Sequence, residues 1–317
     1  MYFNKKIFGF FCAVAAAVTF GLNPLFGLKL YENGLTPPTV LFYRFLFGSI
    51  LLAIVMFCRK QSFVLPGKYL FWMITLALCL AGTSLGLFFS FKKMDASIAS
   101  TILFVYPVIV ALIMNIFFHE KITVAIIISI ILSLAGVAVL CKTSEGAFIN
   151  LPGLILALIS ALAYAIYMVL VKQTKLRELM PEQVTFYAML FSLPFFLLTP
   201  GFAWKFDLFV KPVLLFNILG LAFFPAFLSF YLMAVGIQYI GATKTAILGA
   251  LEPLTAVCIG VLVFHEAFTL RLALGIILVL SSVTLVVCSK NQKIKPQKKT
   301  LPRSDRNKAE SKTVNPQ

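Results

Sequence analysis

Long apolar segments alternate with short polar connections along almost the whole chain. Ten segments are each about 20 residues long, the length that an α-helix needs to cross the hydrocarbon core of a bilayer. They cover residues 7–28, 36–57, 69–90, 97–117, 123–141, 152–171, 183–200, 212–232, 244–263 and 270–288. A helix satisfies its own backbone hydrogen bonds in lipid, whereas an open strand does not. The pattern therefore predicts an all-α membrane protein with ten transmembrane helices.

The composition supports this interpretation and excludes several classes of protein. Of the 317 residues, 61% are hydrophobic and 12% are charged, against about 45–50% apolar and about 25% charged in soluble domains. These values exclude a cytosolic enzyme, a secreted disulfide scaffold and a disordered chain. The first segment follows Lys5 and Lys6 as a signal peptide would, but it continues to Leu28. That length exceeds a signal peptide's apolar core, so we expect a retained first helix.

The net charge of +16 is concentrated at the C-terminus. Residues 290–312 carry nine Lys and Arg, and we expect residues 290–317 to form a disordered basic tail. Such a tail beside a membrane helix favours contact with anionic membrane lipids over nucleic acid. Excluding Arg44, which lies within a segment, 19 basic residues fall on the side of the termini and 7 on the other. The positive-inside rule then predicts cytoplasmic termini in a plasma membrane, with a bacterial inner membrane favoured.

The chain also contains an internal repeat. Residues 96–141 align with 242–287 at a shift of 146, with Pro107 on Pro253 and Phe-His-Glu at 118–120 on Phe-His-Glu at 264–266. Earlier positions align at a shift of 144. The unit holds five predicted helices, an odd number, so the second copy should be inserted upside down. We expect two inverted repeats, at residues 1–146 and 147–289, the architecture of many secondary transporters.

These features resemble the drug/metabolite transporter superfamily, specifically its EamA-type ten-helix branch. The resemblance rests on the five-plus-five arrangement, on Arg44 in the second segment, and on Pro107 and Pro253 in the fourth and ninth segments. It covers about residues 7–290. It implies a secondary carrier, often an exporter of amino acids or other small metabolites, that does not hydrolyse ATP.

Other chemistry finds no support in the sequence. The chain contains no G-x-x-x-x-G-K-[ST] phosphate loop and no H-E-x-x-H. Residues 82–86 match G-x-S-x-G, but they lie within the third predicted helix and not between a strand and a helix, so they do not form a nucleophile elbow. None of the six cysteines forms a C-x-x-C pair. We therefore expect no enzyme activity, no cofactor and no metal site.

Two charged residues deep in predicted helices are candidates for the site, because a charge at that depth costs about 2.5–3.5 kcal/mol. Arg44 in the second helix is interpreted either as a tie between helices or as an anchor for an anionic substrate group. Glu252 in the ninth helix directly precedes Pro253, where the helix is interrupted, and is expected to face a polar cavity. A structural carboxylate satisfied by a partner is the alternative.

Prolines mark further candidate positions, because proline removes an N–H and frees the carbonyl four residues earlier. The expected freed carbonyls are Leu103 for Pro107, Gly249 for Pro253, Phe20 for Pro24 and Leu221 for Pro225. Freed carbonyls at membrane depth persist only beside protein or a water-filled cavity. Kinks that only aid packing are the alternative.

The residues around these prolines complete the predicted substrate site. Tyr106 and Glu252 occupy the same repeat position, and they should line opposite walls if the repeat axis passes through the cavity. Such a pair would orient a substrate with a cationic or hydrogen-bonding end. The remaining candidates for substrate binding are Asn23, Tyr164 and Tyr231.

Two His-Glu pairs lie at helix ends, namely His119 with Glu120 and His265 with Glu266. They are expected to cap helices, and a role in gating is the alternative.

The sequence thus predicts a secondary active transporter that exports a small metabolite, such as an amino acid, by alternating access. A lipid or lipid-linked-sugar flippase and a membrane sensor or binding subunit that does not transport are the alternatives. A homodimer is left open by the sequence.

Overall fold

The computed structural model describes residues 2–119, 150–204, 211–249 and 251–288, with isolated positions between 124 and 139. Every regular element in this described part is helical. Seven helical segments are long and apolar enough to cross a membrane: Lys6–Glu32, Pro37–Cys58, Gly67–Ser90, Ala96–Phe118, Leu151–Gln173, Pro212–Ile240 and Lys244–Phe264. The all-α membrane architecture is therefore confirmed.

The described part of the first half contains six helices, and a short 3-10 turn at Gly67–Tyr69 precedes the fourth. Their bounds are α1 Tyr2–Phe20, α2 Asn23–Glu32, α3 Pro37–Cys58, α4 Leu70–Ser90, α5 Ala96–Leu103 and α6 Tyr106–Phe118. Consecutive pairs of these helices, α1 with α2 and α5 with α6, each build one membrane-crossing segment.

Where the structure describes the second half, it contains seven helices, with a 3-10 turn at Lys175–Glu178 and a π-helical segment at Ala222–Leu228. The bounds are α7 Leu151–Gln173, α8 Pro181–Leu198, α9 Pro212–Leu221, α10 Ser229–Ile240, α11 Ala242–Leu248, α12 Leu251–Phe264 and α13 Leu270–Cys288. The helices α8 and α13 occupy the seventh and tenth predicted segments. Most of the fifth segment, residues 123–141, and the tail, residues 290–317, lie outside the described residues.

Proline explains where several of these helices begin. Pro24 lies in the first turn of α2, and Pro107 lies in the first turn of α6. Proline suits this position because the N–H that it lacks has no partner inside the helix and its φ is already helical. The first and fourth segments are therefore broken helices whose second part starts at a proline, as the sequence predicted for Pro24 and Pro107.

Contacts between the two halves hold the bundle together. The helix α1 packs along α10, α4 packs along α7, and α3 packs along α8. Large side chains fill the centre of this arrangement, and the fully buried ones include Arg44, Tyr106, Tyr164, Phe88 and Phe230. Large apolar side chains such as Phe57, Phe11 and Leu262 instead cover the outer surface, as expected of helices that contact lipid.

Candidate functional site

Three helix breaks meet at the centre of the bundle. They separate α1 from α2, α5 from α6, and α11 from α12. Gly21 in the first break lies so close to α12 that an added Cβ would be 2.7 Å from the carbonyl oxygen of Glu252. Gly249 in the third break packs directly on the hydroxyl of Tyr106, where an added Cβ would overlap it. Glycine at both positions permits this approach, so the breaks form one connected region.

Glu252 lies inside this region, in the first turn of α12, and is 3% exposed. Its Oε1 accepts hydrogen bonds from the hydroxyls of Tyr106 at 3.1 Å and Tyr164 at 3.4 Å. Its Oε2 is buried and has no hydrogen-bond partner among the described residues. One oxygen of the carboxyl group is thus held by protein, and the other is free to accept a bond.

The contact between Tyr106 and Glu252 differs from the sequence expectation. The two side chains do not line opposite walls, because the tyrosine hydroxyl reaches the carboxyl group directly. Tyr106 is 0% exposed and packs on the ring of Tyr164, with 4.5 Å between the ring centroids. The hydroxyls of both tyrosines therefore hold Oε1 of the Glu252 carboxyl group.

Asn23 lies at the first break and is 2% exposed. Its Nδ2 donates a hydrogen bond to the carbonyl of Phe20 at 2.8 Å, the carbonyl that Pro24 was expected to free. Its Oδ1 is buried without a hydrogen-bond partner in the described part of the chain. The amide nitrogen of Asn23 thus supplies a donor to the Phe20 carbonyl at the helix break, and its amide oxygen remains available.

A small cavity is lined by both residues that carry these free oxygens. Its lining includes Asn23, Pro24, Glu252, Phe20, Ser100 and Leu87. It has room for about one water-sized group. A buried polar atom without a partner costs about 1–3 kcal/mol, so two such acceptors at one cavity favour the binding of a hydrogen-bond donor there.

The carbonyl of Gly249 is satisfied locally, contrary to the expectation for Pro253. It accepts a hydrogen bond from the N–H of Glu252 at 2.8 Å. The chain turns tightly between α11 and α12, and this turn supplies the donor that proline cannot.

Arg44 occupies a separate part of the core and is 1% exposed. Its Nη2 donates a hydrogen bond to the carbonyl of Pro225 at 2.8 Å. Pro225 lies inside the π-helical segment, whose hydrogen-bond pattern is wider than that of an α-helix. The guanidinium also lies 5.4 Å from the ring centroids of Phe45 and Phe88, distances typical of cation–π contacts. This geometry favours the interpretation of Arg44 as a tie between helices.

Aromatic rings connect the Arg44 region to the cavity. Phe20 stacks on Tyr164 with 5.6 Å between centroids and meets the edge of Phe230 at 5.8 Å. Phe230 in turn lies 5.9 Å from the guanidinium of Arg44. Among the ion pairs of the described residues, none joins Arg44 to Glu252. The two charged residues thus share one aromatic layer without contacting each other.

Tyr231 lies away from the cavity. Its hydroxyl donates to Oε1 of Glu182 at 3.2 Å and accepts from Arg59 at 3.2 Å, and Arg59 also forms an ion pair with Glu182. The sequence placed Tyr231 with the substrate-binding residues, but the structure groups it with charged residues at the helix ends.

The two histidines end helices in the same way. His119 adopts the left-handed conformation, with φ 54°, and His265 follows with φ 55°. Glu266 then contacts the other half of the chain, where it accepts from the N–H groups of Ala96 and Ser97 and from the Ser97 hydroxyl. These contacts cap the start of α5. Glu120 lies outside the described residues.

Four residues that line the cavity were missed by the sequence interpretation, namely Gly21, Leu87, Ser100 and Ala256. For Ser100 a signal exists, because Ser97, Ser100 and Thr101 recur at helical spacing within an apolar segment. Phe20 was named only for its carbonyl, and no signal in the sequence marks its side chain as part of the cavity. The structure also places no group of three His, Cys, Asp or Glu side chains that could hold a metal ion in its described part.

Comparisons with known proteins place this arrangement in a family. The chain is 26% identical to an uncharacterized transporter of Archaeoglobus fulgidus over 297 residues, which cover 90% of this chain and 98% of the relative. It is 29% identical to the uncharacterized transporter YvbV of Bacillus subtilis over 272 residues, or 82% and 85% of the two chains.

A solved structure shares the fold. A protein whose crystal structure is known aligns with a TM-score of 0.66 at 17% identity, over 90% of this chain and 98% of the other. The sequence model of the EamA-like transporter family matches the chain twice, at residues 7–141 and 151–288. The chain therefore belongs to the EamA-like transporter family and is an integral membrane protein of a transporter class.

Proposed function

We propose that this protein is a secondary carrier that exports a small metabolite across the plasma membrane by alternating access. The cavity between Asn23 and Glu252 is the substrate site in this proposal. The observation that carries it is the pair of buried acceptors without partners, Asn23 Oδ1 and Glu252 Oε2, at a cavity where three helix breaks meet. Discontinuous helices around a central site are the feature that many secondary transporters use to bind their substrates.

The position of the site supports an inverted-repeat mechanism. Tyr106 and Glu252 lie 146 residues apart, which is the shift that aligns the repeats, and they contact each other. Equivalent positions of two copies can meet only beside the axis that relates the copies. A site on that axis can be reached from either side when residues 1–146 rock against residues 147–289.

The packing of the halves supports the same symmetry. The first segment of the first half packs on the eighth segment through α1 and α10, and the third segment packs on the sixth through α4 and α7. The first and sixth segments are equivalent in the repeat, as are the third and eighth. A pseudo-two-fold axis that exchanges the two halves would turn the contact of the first segment with the eighth into the contact of the sixth segment with the third, and both contacts are present.

Contacts between connections agree with the proposed topology. Arg59 pairs with Glu182 on the side assigned to the cytoplasm. Thr36 donates to the carbonyl of Gly201 at 2.6 Å on the side assigned to the exterior. Each contact joins two loops that lie on the same side of the membrane if successive helices cross it in opposite directions. The contacts therefore support a topology with both termini in the cytoplasm.

The test has two stages. Cells that overproduce the wild-type protein are compared with cells that produce Glu252→Gln, and the external medium is profiled for small metabolites. A metabolite enriched only by the wild type is then used for flux in proteoliposomes. We expect Glu252→Gln to lower that flux at least about tenfold, with the protein still folded.

Glu178→Gln is the matched control, because Glu178 is an exposed carboxylate outside the membrane helices. It should retain flux close to that of the wild type. Full flux in Glu252→Gln would remove the cavity from the mechanism. Binding of a metabolite without any flux would instead identify a sensor, and movement of a labelled lipid would identify a flippase.

A further inference from the structure

The cavity at the helix breaks has a defined chemical character. Two residues that line it each carry a buried oxygen without a hydrogen-bond partner among the described residues, one in a carboxyl group and one in an amide. The two hydroxyls that donate to Glu252 do so at Oε1 and leave Oε2 free. Within the described residues, neither ion pair of the structure includes Glu252. A ligand that complements this cavity therefore brings hydrogen-bond donors, and Glu252 in its carboxylate form would balance a positive charge on it.

The size of the cavity restricts the group further. There is room for about one water-sized group, which matches a primary ammonium. A trimethylammonium group is several times larger and has no N–H to donate. Charge and size together therefore select a compact cationic donor.

The residues that line the cavity favour an organic cation over a bare metal ion. Phe20, Leu87 and Ala256 supply apolar surface, and Phe20 supplies an aromatic ring. A hard metal cation gathers about six or more oxygen ligands, whereas an ammonium is stabilised by a few acceptors and by an aromatic ring. The surroundings of Glu252 and Asn23 suit the second case.

We propose that this cavity is a subsite for a primary ammonium group of the substrate, bound by Glu252 Oε2 and Asn23 Oδ1. This inference rests on the proposed carrier function and specifies one end of the substrate. The ammonium neutralises the buried carboxylate and supplies both missing hydrogen bonds. The rest of the substrate extends beyond the cavity as the bundle opens.

The experiment compares three small probes on the purified wild-type protein in detergent. Ethanolamine carries a primary ammonium at neutral pH, choline carries a trimethylammonium, and ethylene glycol carries no charge. Near ten times its dissociation constant, ethanolamine should raise Tm by about 2–4 °C. Choline and ethylene glycol at the same concentration should leave Tm unchanged. This comparison requires no variant and is independent of any folding defect.

Variants then locate the effect. Glu252→Gln and Asn23→Ala should each remove the response to ethanolamine, and Glu178→Gln should retain it. An equal response to choline, or to ethylene glycol, would overturn the proposal. So would the absence of a response to all three probes, or retention of the ethanolamine response in a folded Glu252→Gln protein.

Sodium is tested separately by replacing choline chloride with sodium chloride at constant ionic strength. A rise in Tm with sodium that depends on Glu252 would identify a metal-cation site and would also overturn the ammonium proposal. The carrier function is judged independently by metabolite flux. Flux of a metabolite without an amino group, with no response to ethanolamine, would reject this inference and leave the carrier function standing.

Discussion

Tyr106 donates a hydrogen bond to Glu252 across 3.1 Å, although 146 residues separate them along the chain. The two residues hold the same position in the two halves, each directly before a proline at which a helix resumes. One supplies a hydroxyl and the other a carboxyl group, so the halves are chemically unequal at this contact. In the proposed carrier, this inequality would let two equivalent repeats bind an asymmetric group.

Tyr106→Phe removes one of the two donors to Glu252 Oε1. The variant should lose about 1–3 kcal/mol of stability, because a buried carboxyl oxygen then loses a partner. Thermal unfolding in detergent measures the loss. Tyr239→Phe serves as the control, since Tyr239 is 44% exposed. Equal stability of the two variants would show that the bond to Glu252 contributes little.

Gly249→Ala should disrupt the same contact from the other side. An added Cβ at this position overlaps the Tyr106 hydroxyl, and overpacking of this kind costs about 1–3 kcal/mol. Gly67→Ala is the matched control, because an added Cβ there meets nothing within 4 Å. The double variant Gly249→Ala with Tyr106→Phe should lose less stability than the sum of the single losses. Simple additivity would argue against the predicted steric conflict.

Arg44→Lys should destabilise the protein although the charge is kept. Lysine offers a compact ammonium in place of the planar group that donates to Pro225 and lies near the Phe45 and Phe88 rings. We expect a loss of about 2–4 kcal/mol, measured by thermal unfolding, because a buried charge is left poorly paired. If stability is unchanged while substrate affinity falls, Arg44 is an anchor for an anionic group instead.

The contacts of Glu178 lead us to expect that the stability of the protein falls slightly in acid. Hydrogen bonds from Tyr69 and Lys68 hold the pKa of Glu178 below its ordinary value of 4.5. A lowered folded pKa contributes stability above the unfolded value, and that contribution is lost as the pH falls through the folded value. The stability that this contact contributes should therefore be constant near neutral pH and should decrease only in acid, below about pH 4.5. Thermal unfolding against pH should show a smaller acid loss in Glu178→Gln than in the wild type, and an identical loss in both would contradict the prediction.

The breaks at Pro24 and Pro107 could be predicted from sequence because proline acts on its own backbone. A missing N–H and a fixed φ are local properties, and the structure starts a new helix at each of these positions. The way each break is satisfied was not predictable. The Phe20 carbonyl takes its donor from Asn23, whereas the Gly249 carbonyl takes it from the N–H of Glu252. These choices depend on how the turns pack against neighbouring helices.

The positions of Tyr231 and Phe20 show a second limit of prediction from the sequence. Tyr231 is polar and lies in an apolar segment, yet its partners are Arg59 and Glu182 at the helix ends. Phe20 is apolar, yet it lines the cavity beside Asn23. Helical periodicity gives the face of a helix on which a residue lies, but the neighbour of that face depends on packing between distant segments.

The sequence by itself determined the membrane class, the all-α architecture, the family, and which charged residues within apolar helices are candidates for the site. It could do so because hydrophobic length, backbone hydrogen bonding and proline geometry act within a short stretch of chain. Only the tertiary structure decided that Glu252 accepts hydrogen bonds from Tyr106 and Tyr164, that Arg44 in α3 donates to the carbonyl of Pro225, and that Asn23 shares a cavity with Glu252. Each of these contacts joins residues far apart in the chain, and the packing of the two halves brings them within hydrogen-bonding distance or around one cavity.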